Sequence, residues 1–228
     1  MYKLKRSRIL VLVAFLVGWS ATSYGQKFCK YLAHQSLAHK TETIDLRADT
    51  FDVLHYQIDA AFLNHTKDKT IDAVTELRIV KKMAAQSVTV DLLGLATEAV
   101  SVKDSPVNFT HQGEKVTADI KSVPIGDTFT LRIKYSGKPQ RDPQWGGFYF
   151  NGPYAFNLGV GFASDPHNFG RVWFPCFDNF TDRATYTTIV TVDSGYRAYA
   201  NGILQAETEN GDGTVTFNWL MDESIPTY

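Results

Sequence analysis

From Phe51 onward the chain keeps returning to one pattern, in which apolar residues recur at every second position in short runs closed by glycine, aspartate, asparagine or serine. Successive side chains of a strand point to opposite faces, so such a run buries one face and wets the other. A helix would need apolar residues three and four apart. Val53, His55, Gln57 and Asp59 alternate with Leu54, Tyr56, Ile58 and Ala60, and Ile71, Ala73, Thr75, Leu77 and Ile79 alternate with Asp72, Val74, Glu76 and Arg78. Further runs rich in Val, Ile, Thr, Tyr and Phe cover 87–92, 99–103, 115–120, 128–135, 147–150, 183–192, 196–200 and 214–220. Turn sequences such as Gly126-Asp127, Ser136-Gly137 and Asn210-Gly211-Asp212-Gly213 separate them. About ten strands with short turns and no long helical pattern predict an all-β fold, a multi-stranded sandwich-like domain. The stretch 138–176 departs from the pattern: it carries six glycines and aromatic runs without clean alternation. A long irregular connection of this kind is where a working edge is expected.

With 228 residues, 44% of them hydrophobic, and a net charge of −1, the chain has the composition of a folded domain. The basic cluster lies within the first ten residues, so nothing argues for nucleic acid. Lys3, Lys5, Arg6 and Arg8 precede an apolar run from Ile9 to Trp19, followed by small and polar residues to Gly25. That is the build of a signal peptide over residues 1–25. The run is too short for a stable membrane span, so the expectation is an exported protein, periplasmic, surface-bound or secreted, with no span after cleavage. Residues 26–50 read as a lead-in with a short helix over 31–39, and 51–228 as the β-domain. Two distant cysteines, Cys29 and Cys176, predict free thiols with Cys176 buried rather than a disulfide scaffold. Among the six histidines no pair has metal-binding spacing, so no metal site is expected in this chain.

The strongest local motif is Trp173-Phe174-Pro175-Cys176-Phe177-Asp178. Pro175 stiffens the turn, the rings bury large areas, and Asp178 and Asn179 are suited to accept bonds from nearby backbone amides. Arg171, just upstream, is expected to anchor the loop through carboxylate or carbonyl bonds. Read on its own, the motif is a rigid aromatic corner.

The Phe-Pro-Cys-Phe-Asp run resembles the signature near the end of the amino-terminal domain of aminopeptidase N-like zinc metallopeptidases. Five further pieces resemble that family in its own order: Phe51-Asp52-Val53-Leu54-His55-Tyr56, Val88 to Leu95, Gly146-Gly147-Phe148-Tyr149, Tyr199-Ala200-Asn201-Gly202 and Ile225-Pro226-Thr227-Tyr228. The resemblance covers 51–228 and implies a saddle-shaped β-domain beside a thermolysin-like catalytic domain on the same polypeptide. It implies a zinc cofactor in a full-length parent that removes amino-terminal residues from peptide substrates. The family's His-Glu-x-x-His helix and Gly-x-Met-Glu-Asn strand do not occur in these residues. The chain is therefore expected to be non-catalytic by itself, with no catalytic residue of its own. The family also places a Gln or Glu that binds the substrate's free amine shortly before the signature. The matching stretch is Gly159-Val160-Gly161-Phe162-Ala163-Ser164-Asp165, with Ala163 where the acidic or amide residue would be; Asp165 is the nearby carboxylate, read either as its substitute or as the cap of the turn before Pro166-His167. A free-standing β-sandwich binding module is the alternative reading, since fold alone does not establish function.

Overall fold

The computed structural model describes residues 47–228. The expected signal peptide, the helix over 31–39 and Cys29 lie outside the described residues. Leu46–Tyr228 form one compact unit.

A helical turn, α1 (Arg47–Thr50), leads into thirteen strands. Eight of them build one large sheet: β1 (Phe51–Phe62), β2 (Ile71–Lys81), β4 (Ala96–Val102), β5 (Ser105–Pro106), β8 (Thr128–Gly137), β11 (Ala184–Asp193), β12 (Ile203–Glu209) and β13 (Thr214–Ile225). Their spatial order is β12-β13-β11-β1-β2-β8-β4-β5. β1 and β11 run parallel, and the other neighbours in this sheet run antiparallel. A second sheet orders β3 (Ser87–Asp91), β7 (Lys115–Asp119) and β6 (Phe109–Gln112), and a two-stranded ribbon pairs β9 (Gly146–Asn151) with β10 (Tyr154–Gly161). The fold is all-β, as the alternation requires.

The core forms where the inward face of the large sheet meets the inward face of the three-stranded sheet. Tyr56, Ile58, Leu77, Ile79, Leu131 and Ile133 of the large sheet share one continuous buried cluster with Val88, Val90, Val116 and Ala118 of the three-stranded sheet. In β1 the buried positions switch from odd to even residue numbers partway along. Phe51 and Val53 are buried, then Tyr56, Ile58, Ala60 and Phe62, because the register with β2 shifts between Val53 and His55. The extra residue lets the even-numbered side chains after it point to the same side of the sheet as Phe51 and Val53 before it, opposite the unbroken buried row of β2.

Two expectations about strands need correcting. Residues 196–200 form no strand. They cross the end of the large sheet, where Trp219 Nε1 donates to the Ala198 carbonyl at 3.3 Å and Tyr196 packs edge-on against His65 at 4.6 Å. Apolar alternation shows that one face is buried, and it does not show that a neighbour completes a ladder. Conversely, the stretch 138–176 is not irregular throughout, since it contains the β9–β10 ribbon and a turn of 3-10 helix at Gly170–Val172. Its glycines obscure the alternation because backbones approach closely there. A Cβ on Gly146, whose φ is +118°, would lie 2.0 Å from the Val160 carbonyl oxygen across the ribbon.

Candidate substrate-cleft loop and signature corner

The signature corner is held by two buried carboxylates that share the work of tying three segments together. Asp178 has no exposed side-chain surface. It accepts from the Arg171 guanidinium at 2.7 Å, the backbone N–H groups of Gly170 and Arg171 at 3.2 Å each, Asn168 Nδ2 at 3.2 Å and the Thr227 hydroxyl at 2.9 Å. Asp91, on β3, accepts from Arg47 at 2.8 Å, from Lys115 and from the Asp178 backbone N–H at 3.1 Å. Backbone bonds between Asp91 and Cys176, 2.8 and 3.0 Å, join the corner to the three-stranded sheet. The Cys176 thiol is free and buried, and burial raises its pKa well above the ordinary range, so it is an inert core atom.

Arg171 does more than pair with Asp178. Nε donates to Glu114 at 2.8 Å and a terminal nitrogen donates to the Asn168 carbonyl at 2.9 Å, while the guanidinium lies 4.8 Å over the Phe169 ring. Burial alone would lower its pKa, but Asp178 and Glu114 outweigh that and raise it. Such a fork-shaped donor set is what lets one cation fix a loop in several directions.

Phe174 and Phe177 are the apolar half of the corner. Phe174 is 1% exposed and meets Tyr56 edge-on at 5.6 Å, with Trp173 at 4.8 Å on its flank. The Tyr56 hydroxyl accepts from the Phe177 backbone N–H at 3.1 Å and donates to Asp182 at 3.0 Å. Burial pushes the Asp182 carboxyl up to about 6, against the opposing bond from Tyr56. The folded state thus keeps this proton to a higher pH than the unfolded chain, which releases it near the usual carboxylate value. The stability it contributes is full below about pH 4 and lost as pH rises through about 6. Asp182→Asn keeps an acceptor for Tyr56 and removes the titration. The variant should exceed the parent in stability by about 2–3 kcal/mol at pH 8 and match it at pH 4. Urea midpoints at the two pH values measure this, and a pH-independent difference would refute it.

Upstream of the corner, the segment from Gly161 to Asp165 is bound to a loop that precedes β9. Asp142 is 5% exposed and accepts from the backbone N–H groups of Gln144 at 2.9 Å, Trp145 at 3.0 Å and Ala163 at 3.0 Å. Burial would raise the Asp142 pKa, but these amides prevail and hold it below the ordinary carboxylate range. The Phe162 N–H donates to the Trp145 carbonyl at 3.0 Å, and the Gly161 N–H to the His167 carbonyl at 2.9 Å. A Cβ on Gly161 would sit 2.7 Å from Asp142 Oδ2, so a side chain there would displace the carboxylate.

The structure therefore brings Gly161, Phe162, Ala163 and Asp165 together on one loop, with Phe162, Ala163 and Asp165 exposed. Arg171, Phe174, Pro175, Cys176, Phe177 and Asp178 lie in the adjoining corner and are closed off by their mutual bonds. Asp142 escaped sequence reading, and nothing in the sequence tied Trp145 to this loop. Asp142, one residue before Pro143, had a local signal, because an aspartate at a turn accepts from the N–H groups two and three residues on. Its bond to Ala163, 21 residues away, had none.

Among the described residues no group of three or more His, Cys, Asp or Glu side chains is placed to hold a metal ion. His55 meets the Thr185 hydroxyl at 2.7 Å, His65 the Pro153 carbonyl at 2.9 Å and His111 the Leu92 carbonyl at 3.0 Å. The described residues do not fit zinc. An apolar concavity of about 540 Å3 opens between β10 and β11 and is lined by Phe62, His65, Phe156, Tyr186 and Tyr199 among others. Its charged residue, Arg197, is engaged by Glu207 at 2.6 and 2.8 Å.

Residues 52–228 match the model of the Peptidase M1 N-terminal domain. An M1 zinc metallopeptidase from Deinococcus radiodurans superposes with a TM-score of 0.70 at 25% identity, covering 78% of this chain and 40% of that one. Yeast LTA4 hydrolase gives 0.60 at 18% identity, over 86% of this chain and 31% of its own. Aminopeptidase A from Legionella pneumophila gives 0.64 at 16% identity, over 78% and 20%. The last two show the fold alone, and all three extend well beyond the matched region. No curated protein sequence matches the chain. Because the family match runs from the first sheet strand through the signature corner to Tyr228, the chain belongs to the M1 peptidase family and residues 52–228 are its N-terminal domain.

Proposed function

We propose that this domain forms the amino-end wall of the substrate cleft in an exported zinc aminopeptidase, and that the 228-residue chain by itself hydrolyses nothing. The observation that carries the reading is the Gly161–Asp165 loop, stapled by Asp142 beside a signature corner that has no freedom to move. Catalysis by positioning needs such rigidity, because a displacement of about 1 Å can cost on the order of a hundredfold in rate. The Deinococcus enzyme has been seen bound to a Tyr-Ser-Ala substrate, which supports a peptide substrate here. Zinc, held by residues outside this domain, would supply the activated water. The leader over residues 1–25 is the support for export.

Within the loop, Ala163 offers no charge, and its N–H is already given to Asp142. We assign the substrate's ammonium to Asp165, whose exposed carboxylate lies two residues further on. The test starts with the coding DNA beyond codon 228 and with aminoacyl p-nitroanilide assays. The full-length gene product should cleave these substrates, and Asp165→Asn should raise KM about tenfold with a smaller change in kcat. The 228-residue chain should show no cleavage and keep no zinc through dialysis. One zinc atom per 228-residue chain, or cleavage by it, would sink the assignment of roles.

A further inference from the structure

The tip beside Asp165 holds two large rings out in water on a scaffold that is unusually well tied. Trp145 is 48% exposed and Phe162 55%, with ring centroids 5.0 Å apart and planes inclined by 54°. The His167 ring lies 6.2 Å from Phe162, whose ring thus neighbours both an indole and an imidazole.

The half of each residue's surface that stays in solvent gains the fold nothing, since the benefit of an aromatic side chain comes from removing its surface from water. The same tip nonetheless spends three backbone N–H groups on a buried carboxylate and a fourth on the Trp145 carbonyl. Those bonds fix the two residues' main chains against each other, 17 positions apart in the sequence. Ordering them costs conformational entropy, roughly 1–2 kcal/mol per residue, with no core as the return. A rigid, water-facing apolar pair is the build of a contact surface. Its neighbour decides for what. Asp165 follows Phe162 by three residues on the same loop and is exposed. A ring wall on a loop that also carries a carboxylate complements an ammonium group that carries a bulky apolar substituent. That combination is the first residue of a peptide with an apolar side chain.

We propose that Trp145 and Phe162, held in place by Asp142, form a wall that receives the side chain of the substrate's amino-terminal residue and favours large apolar ones. The inference rests on the aminopeptidase reading above. Asp142 is a positioning residue in this scheme, acting only through the tip it ties.

The test uses the full-length gene product and compares phenylalanine with alanine p-nitroanilide. Trp145→Ala and Phe162→Ala should each lower kcat/KM for the phenylalanyl substrate about tenfold, chiefly through KM, and leave the alanyl substrate within about twofold. Trp145→Phe should restore most of the preference, which a merely structural role would not require. Urea midpoints close to the parent's show that the variants keep their fold, and Phe162→Leu serves if Phe162→Ala does not. An active enzyme whose phenylalanyl-to-alanyl ratio is unchanged, or in which both substrates suffer equally, overturns the wall while leaving the aminopeptidase reading intact. A gene product that cleaves neither substrate overturns both.

Discussion

Asp178→Ala is expected to remove about 3–5 kcal/mol of stability, a large share of the 5–15 kcal/mol that a domain of this size has in total. The carboxylate is fully enclosed and satisfies five donors, among them the Arg171 guanidinium at 2.7 Å. Removing it leaves Arg171, 13% exposed, with Glu114 as its remaining carboxylate, and Glu114 is 45% exposed. It also orphans the N–H groups of Gly170 and Arg171 and the hydroxyl of Thr227. Unsatisfied buried donors cost more than the bonds themselves contribute. Urea unfolding measures the loss, and the double variant with Arg171→Met separates the charge from the neutral bonds, since it should be less destabilised than the two single changes summed. A loss below about 1 kcal/mol for Asp178→Ala would mean that the corner is held by its rings alone.

Phe174→Ala is expected to cost about 3–5 kcal/mol by a different route. Phe174 is at the centre of a ring cluster, edge-on to Tyr56 at 5.6 Å and to Tyr186 at 6.5 Å, with Trp173 at 4.8 Å. Pro175 on one side and the Asp91–Cys176 backbone bonds behind it limit how far the corner can collapse into the vacated space. The cost should therefore sit toward the upper part of that range. The denaturant midpoint should fall while the slope stays unchanged, because the surface exposed on unfolding is nearly the same. Phe174→Leu, which restores most of the volume, should lose clearly less. Equal losses for the two variants would show that ring geometry, rather than filled volume, is what the site requires.

These two changes act on elements that were legible in the sequence to different degrees. The rings of 173–177 announced a buried corner by composition alone. That Asp178 would be their electrostatic anchor followed less directly, since its donors come from 168, 170, 171 and 227. The crossing segment 196–200 shows the limit from the other side. Its residues carry strand propensity, but the pairing edge it would need is taken up elsewhere, with β13 beside β11 and β12 beside β13. The β10 strand was hidden for the opposite reason. Gly159 and Gly161 replace the apolar residues that alternation looks for, at places where Tyr228 and Asp142 come too close for a side chain.

The candidate loop divides in the same way. Gly161, Phe162, Ala163 and Asp165 could be named from the order of motifs, and so could the absence of His-Glu-x-x-His from these residues. The staple could not be named, because Asp142 speaks to Gln144 and Trp145 through a local turn and to Ala163 across 21 residues.

The sequence by itself determined that this chain folds as an all-β domain with an apolar corner at 173–177, because alternation and ring content act on each residue locally. Only the tertiary structure decided where the bulge in β1 shifts the buried positions from odd to even residues, which donors surround Asp178, and how Asp142 joins two distant loops. Those outcomes depend on hydrogen bonds between residues far apart in the chain, whose geometry exists only after the sheets have packed.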